Sequence, residues 1–339
     1  MTPPKIHLFN PENDLALAAD LVNFTAPKGA VAIRNAGTYL PMFWTEKNDL
    51  ILANTEIDSA MNHYRQRYNL HGTASSIVPN GYHPSPWGWS RYTRNEFIKA
   101  GACEASLPDS RTIEQIRMLS HRRTAIAINR AIGVSENIMT VEAFSIEQAR
   151  ETVARMGDSV IKLPWSSSGR GVLYSSHINP KNFDIYIGGM IANQGSVTIE
   201  KELNKLQDFA TLFYSNGESV EYRGLSIFAT SNAGFYEGNI VEPQHLLTKR
   251  LGVNINDIIA ELEKILTIIV APLYKGWLGI DMMLFTNNQG SIEIAPCIEM
   301  NLRMTLGVAA MAAATKVFPI EQKPMLLKVS HLGVSLNPM

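Results

Sequence analysis

Five groups of residues in this sequence have types and spacings that could do chemistry. The first is Lys162 and the loop that follows it in SVIKLPWSSSGRGVL, residues 159–173. Strand-formers lead in at Ser159, Val160 and Ile161 and lead out at Val172, Leu173 and Tyr174, which predicts the tip of a β-hairpin. Ser166, Ser167 and Ser168 bring hydroxyl donors, and Gly169 and Gly171 let backbone amides approach an anion with no Cβ in the way. Lys162 adds a point charge at the mouth, so the loop reads as a phosphate cradle; an ordinary surface loop is the alternative. The second group is EKEL, Glu200 to Leu203, a strand edge whose backbone groups at Glu200, Lys201 and Leu203 suit an adenine, and the third is Asp208, suited to a ribose. The fourth is Asp281 in GIDMMLF, and the fifth is Glu299, Asn301 and Arg303 in EMNLR.

Asp281, Glu299 and Asn301 are hard oxygen ligands on what read as two adjacent strands. Mg²⁺ suits such a set, because it takes few protein oxygens and fills the rest of its shell with phosphate and water. Arg303, two residues past Asn301, is expected on the same strand face, where its planar fork reaches a terminal phosphate. Each position also has a plain structural reading: Glu200 and Glu202 as a solvated face, Asp208 paired with Lys205, Asp281 at the end of its strand. All of these must hold together for the chemical reading to fail.

These groups need positioning elements, and the chain supplies them in order. Ile6 to Phe9 is a strand, after which NPEND offers Asn10 as N-cap and Pro11 as first helical residue, opening the run Leu15 to Leu21. Leu50 to Ala53 and Ile57 to Tyr68 repeat the strand-helix unit, so the first hundred residues read as a small parallel α/β domain without a GxGxxG fingerprint. The helix start at 10–14 can hold an anion, but Glu12 and Asp14 equally suit the helix dipole. PNGYHPSPWGWSRY, 79–92, excludes helix and central strand and reads as a linker or a lip over a cleft. Thr112 with Gln115 makes a capping box, Arg122 and Arg123 follow Ser120 into a new helix, and Ser145 caps another. Asn182 to Asn193 is helical; strands follow at 196–202, 209–214 and 220–228. Asn256 caps an amphipathic helix, and LGIDMMLF and SIEIAPCIEMNLRM form a hairpin through TNNQG. A closing helix begins near Thr305, and no element is assigned beyond Phe318.

Composition bounds the class. The 339 residues are 45% hydrophobic, and 30 basic against 31 acidic side chains leave a net charge of -1, which argues against nucleic-acid and membrane-lipid partners. Cys103 and Cys297 are too few for a disulfide framework, no leader pattern opens the chain, and no apolar run spans a bilayer. A cytoplasmic location is expected.

Taken together, the five groups resemble the motifs of the ATP-grasp superfamily over about residues 110 to 310. The resemblance implies ATP held between two α+β lobes, with Lys162 and SSSGRGV as the phosphate loop, EKEL as the adenine hinge, Asp208 on the ribose, and Asp281, Glu299 and Asn301 on Mg²⁺. Lys162 and Arg303 would be the catalytic cations. SHRRTAIAIN resembles the segment carrying the family's first phosphate-binding lysine, with Arg122 in its place, a fork instead of a point donor. The implied organisation is an N-terminal α/β domain at 1–109, a small lobe at 110–203 and a large lobe with the metal site at 204–339. The implied activity is that of most members, an ATP- and Mg²⁺-dependent ligase which joins a small-molecule carboxylate to an amine through an acyl phosphate. A small-molecule kinase and a nucleotide-binding module without catalysis are the alternatives, and a homodimer is left open. Glu299 stands 18 residues after Asp281, more than is usual in the family; Glu293 fits the spacing but has Ala295 where Asn is expected. A bulge at Pro296 absorbs the difference and favours Glu299. Arg223, Tyr236 and Asn239 lie where acceptor-side groups are expected.

Overall fold

The structure is a computed structural model that describes residues 3–166, 171–230 and 236–339. In the first unit, β1 (Lys5–Leu8), α1 (Asn13–Ala19), α2 (Lys28–Ala36), β2 (Leu50–Leu52), α3 (Ser59–Arg67), β3 (Thr73–Ser75), β4 (His83–Pro86) and α4 (Arg91–Lys99) build a four-stranded sheet in the order β3-β2-β1-β4. All its pairings are parallel, as the alternating strand-helix pattern requires. β4 carries Pro84 and Pro86 and lies at the sheet edge, where missing N–H groups cost least.

Two linking helices, α5 (Ser110–Leu119) and α6 (Arg123–Ile132), lead to the small lobe. There β5 (Val141–Ala143), α7 (Ile146–Met156), β6 (Ser159–Lys162), β7 (Val172–Tyr174), α8 (Phe183–Gln194) and β8 (Val197–Lys201) give an antiparallel sheet ordered β5-β8-β6-β7. Ala143, Ile161, Val197 and Ile199 from its strands pack with Ala149 of α7 and Ile187 of α8. The large lobe contains β9 (Asn204–Ser215), β10 (Val220–Thr230), β11 (Tyr236–Val241), α9 (Gln244–Leu251), α10 (Asn256–Ile269), β12 (Gly276–Thr286), β13 (Ile292–Asn301), α11 (Leu306–Glu321), β14 (Met325–Ser330) and β15 (Gly333–Pro338). Its seven strands run in the order β13-β12-β9-β10-β11-β14-β15. A parallel α/β unit, a small antiparallel lobe and a large antiparallel lobe thus follow one another, which is the α/β plus α+β fold class expected.

Several local expectations change. Asn10 does not cap α1: the helix starts at Asn13 after Glu12, and the Asn10 side chain instead bridges Gly88 and Thr93. Asp109, not Thr112, caps α5, accepting from the Thr112 amide at 2.7 Å. The chain past Phe318 is ordered: α11 continues to Glu321 through Pro319, and β14 and β15 extend the large sheet. The signal was present as alternation, since Met325, Leu327, Val334 and Leu336 are the buried members of that hairpin.

The expected break at residue 110 is not a break in the core. Ile116, Ala125 and Ile128 of α5 and α6 pack with Phe209, Leu266 and Met300 of the large lobe, because the apolar stripe of α6 lies against β13. The first unit is also fused to the large lobe, with Phe9, Phe43 and Met61 in one apolar cluster with Leu212, Val308 and Ala313. α11 approaches the large sheet so closely that a Cβ on Gly307 would lie 2.8 Å from the Ser226 Cβ. Gly307→Val should therefore lower stability in urea unfolding by about 1–3 kcal/mol. Gly189→Ala in α8, where an added Cβ meets nothing within 4 Å, should leave stability equal or raise it.

Candidate active site

The two lobes face each other across a cleft of about 400 Å³, within the range of small-molecule sites. Its walls carry residues from four of the five expected groups, all but that of Asp281: Lys162 from β6, Glu200 and Lys201 from the end of β8 with Leu203 just after it, Asp208 from β9 and Glu299 from β13, joined by Arg122 from the start of α6. The antiparallel pairing of β6 with β8 sets Val160 opposite Glu200 and Lys162 opposite Thr198. In this arrangement Lys162 and Glu200 form an ion pair. Asp208 is paired with Lys205 at 2.7 Å, the plain reading of that residue, while still lining the cleft. Ser167, Ser168 and Gly169 lie outside the described residues. Gly171 has φ +68° and its carbonyl accepts from the Leu163 amide at 2.9 Å, so here it closes the hairpin.

The metal-type residues come together on β12 and β13. Asp281 stands directly opposite Glu299 in the ladder, and the Asn301 Nδ2 donates to Asp281 Oδ2 at 3.0 Å. The 18-residue spacing is absorbed by a bulge: Asp281 pairs with Glu299 but Met283 pairs with Ala295, so Met282 faces Pro296, Cys297 and Ile298. The bulge also separates the two candidate glutamates. Glu293 is exposed at the far end of the hairpin, opposite Phe285, and accepts from Asn287 Nδ2 at 2.6 Å. Burial and the neighbouring Glu299 push the Asp281 carboxyl up to about 7, against the pull of Arg303, Asn301 and Arg122. Two carboxylates and an amide are the donor types a hard divalent cation takes, with the Asn301 oxygen engaged here by Arg303 Nη2. Among the described residues no group of three or more His, Cys, Asp or Glu side chains gathers as a metal site, and this one supplies two carboxylates and an amide.

Two arginines hold this cluster. Arg122, 7% exposed, donates from Nε to the Leu163 carbonyl and from Nη2 to Ser166 Oγ, both at 3.0 Å, and pairs with Glu299 at 3.0 Å. It therefore ties the loop after Lys162 to the carboxylates. Arg303 departs from expectation. β13 ends at Asn301, and the Arg303 amide donates to the Asn301 carbonyl at 2.9 Å, so Arg303 sits on a turn and does not continue the strand face. Its guanidinium returns to Asn301 Oδ1 at 2.7 Å and takes Asp14 on two edges, Nε to Oδ1 at 3.0 Å and Nη2 to Oδ2 at 2.6 Å. Burial works against the charge on Arg303, but Asp14, Glu299 and Asp281 outweigh it and raise its affinity for the proton.

Asp14 is the residue that sequence reasoning missed in this site. NPEND was legible as a helix start, yet its acidic residue reaches 289 positions along the chain to Arg303. The PWGWS segment belongs to the same seam: the Met304 amide donates to the Trp87 carbonyl at 2.8 Å. Arg223 is not brought to the cluster, being paired with Glu221 and half exposed. Tyr236 and Asn239 are hydrogen-bonded to each other, and Asn239 also donates to Ser226 Oγ at 2.8 Å.

No family model matches the chain, and no curated protein is significantly similar to it. Similar solved structures include N5-carboxyaminoimidazole synthetase from Staphylococcus aureus, at 11% identity over 98% of this chain and 80% of that chain, TM-score 0.48. Another is biotin carboxylase from Campylobacter jejuni in a β,γ-ATP complex, at 12% identity over 98% and 74%, TM-score 0.48. The D-alanine-D-alanine ligase from Coxiella burnetii matches at 9% identity over 55% of this chain, with a TM-score of 0.37, and this chain spans 48% of its length. At these identities and scores the likenesses carry no argument about activity.

Both side chains of the Arg303–Asp14 pair are 13% exposed, so removing one leaves a mostly buried charge. Asp14→Leu should cost about 3 kcal/mol in chemical denaturation, and the double variant with Arg303→Met should recover much of it. For Asp281, the unfolded carboxyl ionises near 3.8 and the folded one near 7. Between those values the folded state holds more protons, so in EDTA stability should fall as pH rises through that window. Asp281→Asn should remove this slope, which unfolding titrations at about pH 5 and about pH 7.5 would measure.

Proposed function

We propose that the cleft binds ATP and that the protein is an ATP-dependent ligase forming C–N bonds between a small-molecule carboxylate and an amine. The observation that supports this most is the convergence on one cleft of Lys162, the Glu200–Leu203 strand end, Asp208, Arg122 and Glu299, with Asp281 and Asn301 beside Glu299. On this reading the strand end takes the base, Asp208 the ribose, and Lys162 and Arg122 the phosphates. Asp281, Glu299 and Asn301 would hold Mg²⁺, which when bound neutralises phosphate charge. For that, the Arg122–Glu299 and Lys162–Glu200 pairs exchange their partners for phosphate and metal, and each cation is already positioned at the cleft wall. Arg303, whose donors are taken by Asp14, Asn301 and the Met304 carbonyl, would act at longer range as a fixed positive charge behind the carboxylates while a substrate carboxylate takes the terminal phosphoryl group. An amine then displaces phosphate from the acyl phosphate, and no protein nucleophile is required.

Lys162→Ala should weaken ATP binding by at least about tenfold in calorimetry, since a charge-assisted contact is worth roughly 1.5 to 3 kcal/mol. Glu299→Gln should abolish Mg²⁺-dependent ADP formation in a screen of amino acids and small acids, and Glu293→Gln should retain most of it. Release of inorganic phosphate with a C–N product is the expected outcome; a stable phosphorylated product would make the protein a kinase.

A further inference from the structure

Among the described residues that line the cleft, Asn129 carries a buried side-chain oxygen with no hydrogen-bond partner. Asn129 on α6 is 5% exposed and lines the cleft. Its Nδ2 donates to the Cys297 carbonyl at 2.8 Å, while its Oδ1 is buried without a hydrogen-bond partner. The orientation of the amide is settled by its surroundings, because the reverse would set oxygen against the Cys297 carbonyl oxygen. That carbonyl is available because Cys297 lies in the β13 bulge, where three residues face Met282 alone. A buried amide oxygen left unpaired is costly, and such groups call for an explanation.

Position along α6 indicates what would pair with it. Arg122, at the start of the helix, touches Ser166 and Glu299 at the phosphate and carboxylate end. Asn129 is seven residues further, two helical turns or about 10 Å along the axis. It shares the cleft wall there with Val134, Ile138 and Met283, an apolar surround suited to a flat ring. From this placement we propose that Asn129 Oδ1 accepts a hydrogen bond from the exocyclic amine of the bound base, which makes Asn129 a specificity-determining residue for adenine. The inference rests on the nucleotide reading above. Adenine offers an amine donor at that edge, whereas guanine and hypoxanthine offer a carbonyl acceptor, which would meet the Asn129 oxygen with like polarity.

Calorimetry with the full chain and Mg²⁺ tests this using ATP, purine riboside triphosphate, which lacks the amine, and inosine triphosphate. The wild-type protein should bind ATP about tenfold more tightly than either analogue, the loss expected when a buried acceptor is left unsatisfied. Asn129→Ala should weaken ATP by about the same factor and leave purine riboside triphosphate within about twofold. Equal loss for ATP and purine riboside triphosphate in the variant, or equal affinity of the wild type for ATP and inosine triphosphate, would overturn the role of Asn129 while leaving the nucleotide site standing. The wild-type comparison holds even if the variant does not fold. Failure of the wild type to bind any of the three would overturn the nucleotide reading and this inference with it.

Discussion

Asp281 and Glu299 face each other across the β12–β13 ladder, and like charges directly opposite on a sheet repel. Burial makes the repulsion worse, so the surroundings must supply positive charge or keep a proton. Both occur: Asp281 holds its proton to about 7, and Arg122 and Arg303 approach from two sides. Those arginines in turn recruit the rest of the molecule. Arg122 grips the loop that follows Lys162, joining the small lobe to the large one. Arg303 is mostly buried and is carried by Asp14, which joins the first unit to the same cluster.

The bulge in β13 turns this pair of carboxylates into a site. In an unbroken strand Glu293 and Glu299 would share one face, six residues apart. Placing three residues opposite Met282 leaves Glu293 at the exposed hairpin end and sets Glu299 against Asp281. The same irregularity releases the Cys297 carbonyl to Asn129. A single local departure from the ladder thereby sets the carboxylate pair and orients an amide in the cleft wall.

The first unit is built into this arrangement. Its apolar residues share a cluster with α11 and the large sheet, and the Trp87 carbonyl receives the Met304 amide next to Arg303. Contact through a common core makes the position of Asp14 a property of the whole packed structure, because shifting the first unit against the large lobe would open the apolar cluster and strand a buried guanidinium.

The sequence by itself determined the elements and most of the chemistry-bearing residues. Strand-formers around Lys162 specified a hairpin, GIDMMLF and EIAPCIEMN specified two paired strands, and Pro296 marked the bulge, because these depend on local propensity, side-chain alternation and the missing N–H of proline. Alternation also runs through 325–336, where Met325, Leu327, Val334 and Leu336 carry the buried face of the hairpin after α11. What only the tertiary structure decided is which charges meet. Lys162 with Glu200, Arg122 with Glu299 and Arg303 with Asp14 are contacts between distant segments, and no periodicity encodes them. Ala125 and Ile128 of α6 are near in sequence to the small lobe but pack with the large one, since burial of the α6 stripe against β13 is a gain that depends on the sheet already being there. Asp14 looked like a complement to its own helix dipole; a fully formed guanidinium fork in a desolvated seam binds it more strongly than the first turn of a seven-residue helix could.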